Sequence, residues 1–231
     1  GVIQDVAAIG AICRERNIPF HVDAAQSAGK LPLNVETMNI DLLSLTAHKA
    51  YGPKGIGVLY VRRRPPLGLR PLFYGGGQEA GLRSGTLPTH QIVGMGLAFE
   101  LGERDREADV ARLTVLRERL WQGLNAIGGV ELNGHPTERV AGVLNVCFHN
   151  VEGESLRFGL RDLAVSSGSA CASGSDEASY VLRALGRTDQ LAQSSIRFSL
   201  GRFTTEDDVD RAIASVSREV SRLRALVPHG T

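Results

Sequence analysis

The sequence has few cysteines. The three are Cys13, Cys147 and Cys171, spread over 231 residues, and no pair has the CxxC spacing. An odd and scattered set argues against a disulfide framework and against a zinc site built from cysteines. The chain also lacks an excess of charge of one sign, because 26 Lys and Arg residues stand against 25 Asp and Glu residues. This balance disfavours a direct role in binding nucleic acid.

Long apolar runs are absent as well. No stretch approaches the roughly 18 residues needed to cross a bilayer, and no charged-then-apolar leader opens the chain. With 42% apolar and 22% charged residues, the composition is typical of a globular protein with one large domain or two small ones. We therefore expect a protein of the cytosol or of an organelle matrix. The chain opens at Gly1 rather than at a Met, so we also expect it to be part of a longer protein.

The first hundred residues show the pattern of an open α/β sheet. A helix that follows a plausible N-cap, Asp5, leads into three short apolar runs. The predicted strands are residues 18–22, 41–46 and 56–61. Ligands of such sheets bind beyond the carboxyl ends of the strands, and Asp23 and Lys49 both follow such ends.

A glycine-rich loop at residues 75–86 separates this region from the rest of the chain, and a loop this long inside a compact domain is usually functional. A helical pattern follows over residues 91–127. Beyond it the sequence predicts a strand at 143–148, a helix at 154–163, a strand at 196–200 and a last helix after Thr205, where Asp208 is the capping-box partner. We expect two domains, residues 1–104 and residues 105–231.

Lys49 is the first candidate for chemistry. A lysine at the floor of a cleft can lose its hydration and present a neutral, nucleophilic amine, as Schiff-base chemistry requires. Asp23 precedes it by 26 positions and could pair with the protonated nitrogen of a pyridine ring, while Gln26 adds a polar group one turn further on. Taken alone, Lys49 also fits a solvated surface lysine, and Asp23 also fits a cap or turn residue.

Cys171 differs from the other two cysteines. Cys13 lies on an apolar helix face and Cys147 lies in an apolar strand, so both are predicted to be inert core residues. Residues 166–175 around Cys171 are nearly all Ser, Gly and Ala, so we expect a mobile, exposed segment with a nucleophilic thiolate. The alternative is a solvated linker with an incidental thiol.

Arg197 lies in a strand-like run, 26 residues after Cys171. Its planar guanidinium suits a substrate carboxylate, because two parallel N–H groups match the two carboxylate oxygens. The alternative is a structural ion pair.

Five motifs in this order strongly resemble those of the cysteine desulfurases of the iron–sulfur assembly (IscS/NifS) type, which are class V aminotransferase-like enzymes of PLP fold type I. The motifs cover residues 21–27, 47–55, 83–86, 166–171 and 194–202. The resemblance implies an α/β fold: part of the large mixed-sheet domain that binds pyridoxal 5'-phosphate (PLP), and the smaller C-terminal α+β domain. It implies conversion of L-cysteine to L-alanine, with the sulfur retained as a persulfide on Cys171.

The resemblance also assigns roles to individual residues. Lys49 would attach the cofactor, Asp23 would pair with its ring nitrogen, and Gln26 would bind its phenolic oxygen. Thr46 and His48 would contact the phosphate, and Thr86 would reach the phosphate of a neighbouring subunit. The implied catalytic residues are Lys49, Cys171 and His48, the implied substrate-binding residue is Arg197, and Cys171 is also implied as a transient iron–sulfur ligand together with a scaffold protein.

The implied partners are L-cysteine, a second copy of the chain, an iron–sulfur scaffold protein and sulfur-carrier proteins, with roles in cluster assembly and tRNA thiolation. No membrane or direct nucleic-acid partner is implied, and the implied location is the cytoplasm or, in a eukaryote, the mitochondrial matrix.

Family members are longer, and this chain resembles their C-terminal part, so we expect the isolated chain to fold poorly and to be inactive. Two alternatives stay open: another class V enzyme, such as an aminotransferase, a selenocysteine lyase or a kynureninase-like hydrolase, and a catalytically silent platform. Cys171 discriminates, because an aminotransferase does not need it.

Overall fold

The structure is a computed structural model, and it describes residues 1–167 and 178–226. The chain forms two compact units. The first unit is Gln4–Glu107, and the second unit combines Gly1–Ile3 with the residues from Ala108 onward. The domain division predicted after residue 104 stays a prediction for the whole protein. Among the described residues, no helix is both long enough and apolar enough to cross a membrane.

The first unit is built on a three-stranded mixed sheet. Its elements are α1 (Val6–Glu15), β1 (His21–Asp23), β2 (Leu42–Thr46), a 3₁₀ turn (Ala47–Lys49), β3 (Gly57–Val61), a second 3₁₀ turn (Gln78–Gly81) and the first part of α2 (Thr89–Asn125). β1 pairs parallel with β2, and β2 pairs antiparallel with β3. Asp5 caps α1 as predicted, because its Oδ1 accepts a hydrogen bond from the Ala8 amide at 2.9 Å.

The two faces of this sheet differ in polarity. Side chains alternate between the faces of a strand, so Val22 and Leu43 lie on one face while Asp23, Ser44 and Thr46 lie on the other. The apolar face forms a small core. It contains Ala24, Ile40 and Leu43, with Val6, Phe20, Val22, Leu33, Val35, Met38, Leu45 and Tyr60 packed against them. The opposite face therefore carries the polar side chains of the candidate site.

Two predictions for this unit were wrong in detail. The strand predicted at residues 18–22 is His21–Asp23, because Pro19 lacks an N–H donor and hydrogen bonding to the neighbouring strand begins at the Phe20 carbonyl, which accepts from the Leu42 amide. Cys13 is partly exposed rather than buried in the core.

The second unit pairs an antiparallel sheet with helices. Its elements are the second part of α2, β4 (Val130–Leu132), β5 (Val143–Phe148), α3 (Gly153–Gly159), α4 (Tyr180–Ala184), α5 (Asp189–Gln193), β6 (Ser195–Ser199) and α6 (Glu206–Leu226). The strand order is β4-β5-β6. The predicted strand at 143–148 and the capping box of the last helix are confirmed, since the amides of Thr205 and Asp208 each donate to the other's side chain.

The core of this unit lies between its sheet and the apolar stripes of α2 and α6, as the helical periodicity predicted. Its buried members include Leu116, Leu120, Leu124, Leu144, Val146, Phe148, Leu156, Ile196, Val209, Val216 and Val220. The helix predicted at 154–163 ends earlier, at Gly159. The short elements β4, α4 and α5 were not predicted, because each has only three to five residues and too little periodicity to identify.

Gly153 leaves no room for a side chain beside the backbone of Gln193. A Cβ added there would lie 2.0 Å from the carbonyl oxygen of Gln193, so α3 reaches its place only because residue 153 has no side chain. We expect Gly153→Ala to destabilise the full-length protein by about 1–3 kcal/mol, because backbone must move to relieve the overlap. Thermal unfolding checks this, with Gly96→Ala as the control, since a Cβ at Gly96 meets nothing within 4 Å. Equal unfolding temperatures of the two variants would contradict this prediction, because they would show that the Gln193 backbone can move at little cost in stability.

Candidate active site

The candidate site lies at the carboxyl ends of β1 and β2. The two strands are parallel, so their ends meet at the same edge of the sheet, as the sequence pattern predicted. Asp23 is in register with Ser44, and Thr46 follows two residues later on the same face. The Nε2 atom of His21 lies 2.6 Å from Ser44 Oγ, which ties the polar side chains of the two strands together.

The Asp23 carboxylate is held by one of its oxygens. Asp23 Oδ1 accepts a hydrogen bond from the Ala25 amide at 2.9 Å, where the chain turns away from β1. The side chain is exposed, and within residues 1–167 and 178–226 no residue donates a hydrogen bond to its other oxygen. Asp23 can thus serve as a turn cap and still present a carboxylate oxygen to a ligand.

Lys49 and His48 are presented by the 3₁₀ turn that follows β2. Ala47 is fully buried and Ala50 nearly so, and the amides of Ala50 and Gly52 both donate to the Ala47 carbonyl at 2.9 Å. The alanines anchor the turn, and the two candidate side chains between them are exposed. The sequence predicted a desolvated lysine, but the described residues of this chain do not bury Lys49.

His48 is tied to the end of β2. Its Nδ1 lies 2.9 Å from Thr46 Oγ1, and the Thr46 hydroxyl also lies within 3.4 Å of the Ile56 carbonyl oxygen. The pair fixes the imidazole at the strand end and leaves its other nitrogen directed away from Thr46. A hydroxyl and an imidazole at this position can both donate hydrogen bonds to an anionic oxygen.

Gln26 lies in the turn after β1, and its Oε1 accepts a hydrogen bond from the Lys30 ammonium at 3.4 Å. Partial burial lowers the pKa of Lys30, and the positive charge of Lys49 lowers it further. Lys30 was not among the site residues predicted from the sequence. The signal that could have found it is the spacing of four residues from Gln26, which puts two side chains on the same side of a helical turn.

Thr86 lies on a separate segment. It is exposed at the end of the glycine-rich loop rather than at the ends of β1 and β2. Hydrogen bonds within the loop hold its two ends together: Ser84 Oγ donates to the Gly76 carbonyl at 2.8 Å, and the Gly85 amide donates to Gln78 Oε1 at 3.2 Å. The role of Thr86 toward a neighbouring subunit stays a prediction.

The predicted substrate arginine belongs to the second unit. Arg197 lies in β6 opposite Asn145, and its backbone amide also donates to the Ser166 carbonyl at 2.6 Å. Its side chain is partly buried, and among the described residues no carboxylate forms an ion pair with its guanidinium. A partly buried guanidinium without such a partner is suited to bind the carboxylate of a ligand.

Cys171, the predicted nucleophile, lies outside the described residues. Cys147 is fully buried, and burial raises the pKa of its thiol, which agrees with the inert role predicted for it. Within the described part of the chain, no group of three or more His, Cys, Asp or Glu side chains could hold a metal ion.

Comparisons with known proteins identify relatives of this chain. The chain matches the family model described as aminotransferase class-V over residues 1–212. Over 228 residues, it is 58% identical to cysteine desulfurase IscS of Pectobacterium atrosepticum and 60% identical to the protein of the same name from Tolumonas auensis. Each match covers 99% of this chain and 56% of the relative, so the chain spans about half the length of the curated relatives it matches.

Solved structures agree with these matches. A NifS-like protein from Rickettsia africae superposes with a TM-score of 0.86 at 29% identity, covering 96% of this chain and 59% of that one. The structure of SspA in complex with cysteine gives a TM-score of 0.72 at 39% identity, covering 89% of this chain and 56% of that one. The structure of DndA from Streptomyces lividans gives a TM-score of 0.70 at 36% identity, covering 86% of this chain and 57% of that one.

Proposed function

Because the chain belongs to the aminotransferase class-V family, we propose that the whole protein is a PLP-dependent cysteine desulfurase, which converts L-cysteine to L-alanine and keeps the sulfur as a persulfide on Cys171. Membership of this family confirms the predicted fold class, an α/β protein of PLP fold type I. The observation that carries the proposal is the placement of Asp23 and Lys49 at adjoining ends of two parallel strands, in a chain 58–60% identical to proteins named cysteine desulfurase.

The donor set at these strand ends fits the proposed cofactor. Asp23 offers a carboxylate to a protonated ring nitrogen, Lys49 offers an amine to an aldehyde, and Gln26 offers an amide to a phenolic oxygen. Thr46 and His48 offer donors to a phosphate. When bound, PLP supplies an electron sink for the carbon that loses a proton.

Each residue then has a defined task. Arg197 binds the α-carboxylate of L-cysteine and so orients the amino acid. The Lys49 amine accepts the proton from the substrate Cα and later returns a proton to the product. The Asp23 carboxylate holds the ring nitrogen in its protonated form.

The sulfur step balances without an outside reductant. The Cys171 thiolate attacks the substrate sulfur, so that one S–S bond forms while the substrate C–S bond breaks. The sulfur atoms are oxidised, the substrate Cβ is reduced, and one thiol plus L-cysteine gives one persulfide plus L-alanine. The structure of SspA in complex with cysteine supports cysteine as the substrate class.

We extend the proposal to the setting of the whole protein. It acts as a homodimer, in which the glycine-rich loop with Thr86 reaches the neighbouring subunit's site. It delivers sulfur to scaffold and carrier proteins for iron–sulfur assembly and tRNA thiolation, in the cytoplasm. The name IscS of the curated relatives supports the iron–sulfur role.

Peptide mass spectrometry on the full-length protein tests the core of the proposal. One aliquot is reduced with borohydride, and another is incubated with L-cysteine in the absence of reductant. We expect a pyridoxyl group on Lys49 in the first and an added sulfur on Cys171 in the second. Pyridoxyl on Lys49 with Cys171 unmodified would favour another class V enzyme, and the absence of pyridoxyl would favour a silent platform.

A further inference from the structure

The turn after β1 brings Lys30 back to Gln26. The Ala28 amide donates to the Ala24 carbonyl, and the amides of Lys30 and Leu31 both donate to the Ser27 carbonyl, each at 2.9 Å. This coiled segment places Lys30 four residues after Gln26 on the same side of the turn, where Lys30 Nζ lies 3.4 Å from Gln26 Oε1.

The same turn is packed beside the segment that carries Lys49. Gly29 has a φ of +72°, and a Cβ built there would lie 3.9 Å from Ala50 Cβ and 3.8 Å from Phe99 Cδ1. Lys30 is therefore held close to the residue that follows Lys49. The lowered pKa of Lys30, caused first by partial burial and then by the positive charge of Lys49, agrees with this placement.

The contact between Lys30 and Gln26 favours one orientation of the Gln26 amide. An ammonium has three donors and no acceptor, so only the oxygen of the Gln26 amide can face it. The Nε2 end of Gln26 must then face the other way, with its two N–H donors available to an acceptor. Without Lys30, nothing in this contact distinguishes the two ends of the amide.

We propose that Lys30 is a positioning residue of the cofactor site: by holding Gln26 Oε1 it turns the Gln26 N–H groups toward the anionic ring oxygen of PLP. This inference rests on the proposed function, because it needs the cofactor that Gln26 is proposed to contact. Hydrogen bonds of this kind are often long before the ligand binds, so we expect the 3.4 Å contact to shorten in the holoenzyme.

The test uses the full-length holoenzyme loaded with PLP, and the readout is the pH midpoint of the change in cofactor visible absorption. A hydrogen-bond donor to the ring oxygen of PLP stabilises the negative charge on that oxygen. Without the donor, the oxygen attracts the proton on the nearby nitrogen that joins Lys49 to PLP more strongly, so this nitrogen keeps its proton to a higher pH. We expect Lys30→Met and Gln26→Ala each to raise the midpoint by about half a pH unit or more, the size expected for one hydrogen bond. Lys30→Arg, which keeps both charge and donors, should leave the midpoint close to that of the wild type.

The double variant Gln26→Ala/Lys30→Met separates positioning from charge. If Lys30 acts through Gln26, the double variant shows the shift of Gln26→Ala alone. A further shift of full size in the double variant would overturn the inference, because it would show that the ammonium acts on the Lys49 nitrogen by its own charge.

Two other results separate a failure of this inference from a failure of the proposed function. An unchanged midpoint in Lys30→Met, with normal cofactor binding, would overturn the role of Lys30 and leave the proposed function standing. A wild-type protein that binds no PLP would overturn both. Thermal unfolding is the check on folding, and Lys30→Ala repeats the measurement if Lys30→Met proves unstable.

Discussion

Replacing Lys49 by alanine in the full-length protein is expected to abolish covalent attachment of PLP, whereas replacing Cys171 by alanine is expected to leave attachment intact and to stop sulfur transfer. In the proposed function, Lys49 supplies the amine that joins the cofactor and also the base for the Cα proton, and loss of a general base alone costs about 10²–10⁴-fold in rate. Cys171 is proposed to accept the sulfur, so its loss would leave no thiolate for the substrate sulfur. Visible absorption and persulfide formation from L-cysteine measure the two functions separately.

Two neighbours give matched controls for these variants. Lys54 is an exposed lysine five residues after Lys49, and it holds Gln91 through its carbonyl rather than its side chain, so Lys54→Ala removes a charge without removing that contact. Cys13 is a partly exposed thiol, so Cys13→Ala controls for general thiol loss. Both controls should keep cofactor attachment and persulfide formation. Equal loss of cofactor in Lys49→Ala and Cys171→Ala would contradict this division of roles.

The sequence located the strand ends because their signals are local. Two apolar runs predicted the edge of the sheet beyond which Asp23 and Lys49 lie. The capping pair of Thr205 and Asp208 was likewise predictable, because a helix N-cap is defined by residues three positions apart. Strand β1 was placed too early, because an apolar run does not show where pairing to the next strand begins.

Other parts of the site depend on contacts that are remote in the sequence. The exposure of Lys49 depends on which residues cover the turn that carries it. The local sequence around Lys49 is the same whether the side chain is buried or exposed, so the sequence could not predict its exposure. The absence of a described carboxylate partner for Arg197 is a property of the folded unit, not of the strand-like run in which it lies. The bond between Lys30 and Gln26 is local, but its meaning depends on the packing of Gly29 beside Ala50, which the sequence pattern did not indicate.

The Asp23 carboxylate combines two functions that substitution can separate. Its Oδ1 caps the turn through the Ala25 amide, while its negative charge is proposed to hold the cofactor ring nitrogen protonated. Asp23→Asn keeps an acceptor for the Ala25 amide and removes only the charge. We expect this variant to bind PLP but to lose activity by about 10- to 100-fold, as expected for a lost charge-assisted hydrogen bond.

The pH dependence of the Asp23 variants shows which function matters. Without the carboxylate, the ring nitrogen holds its proton only at lower pH, so the defect of Asp23→Asn should shrink as the pH falls and grow as it rises. Asp23→Glu keeps the charge but moves it by one methylene, and should retain more activity than Asp23→Asn at high pH. Asp23→Ala loses both the charge and the turn cap, so it should also lower the unfolding temperature, which Asp23→Asn should not. A defect of Asp23→Asn that is the same at every pH would contradict the electrostatic role, because this variant keeps the turn cap and loses only the charge.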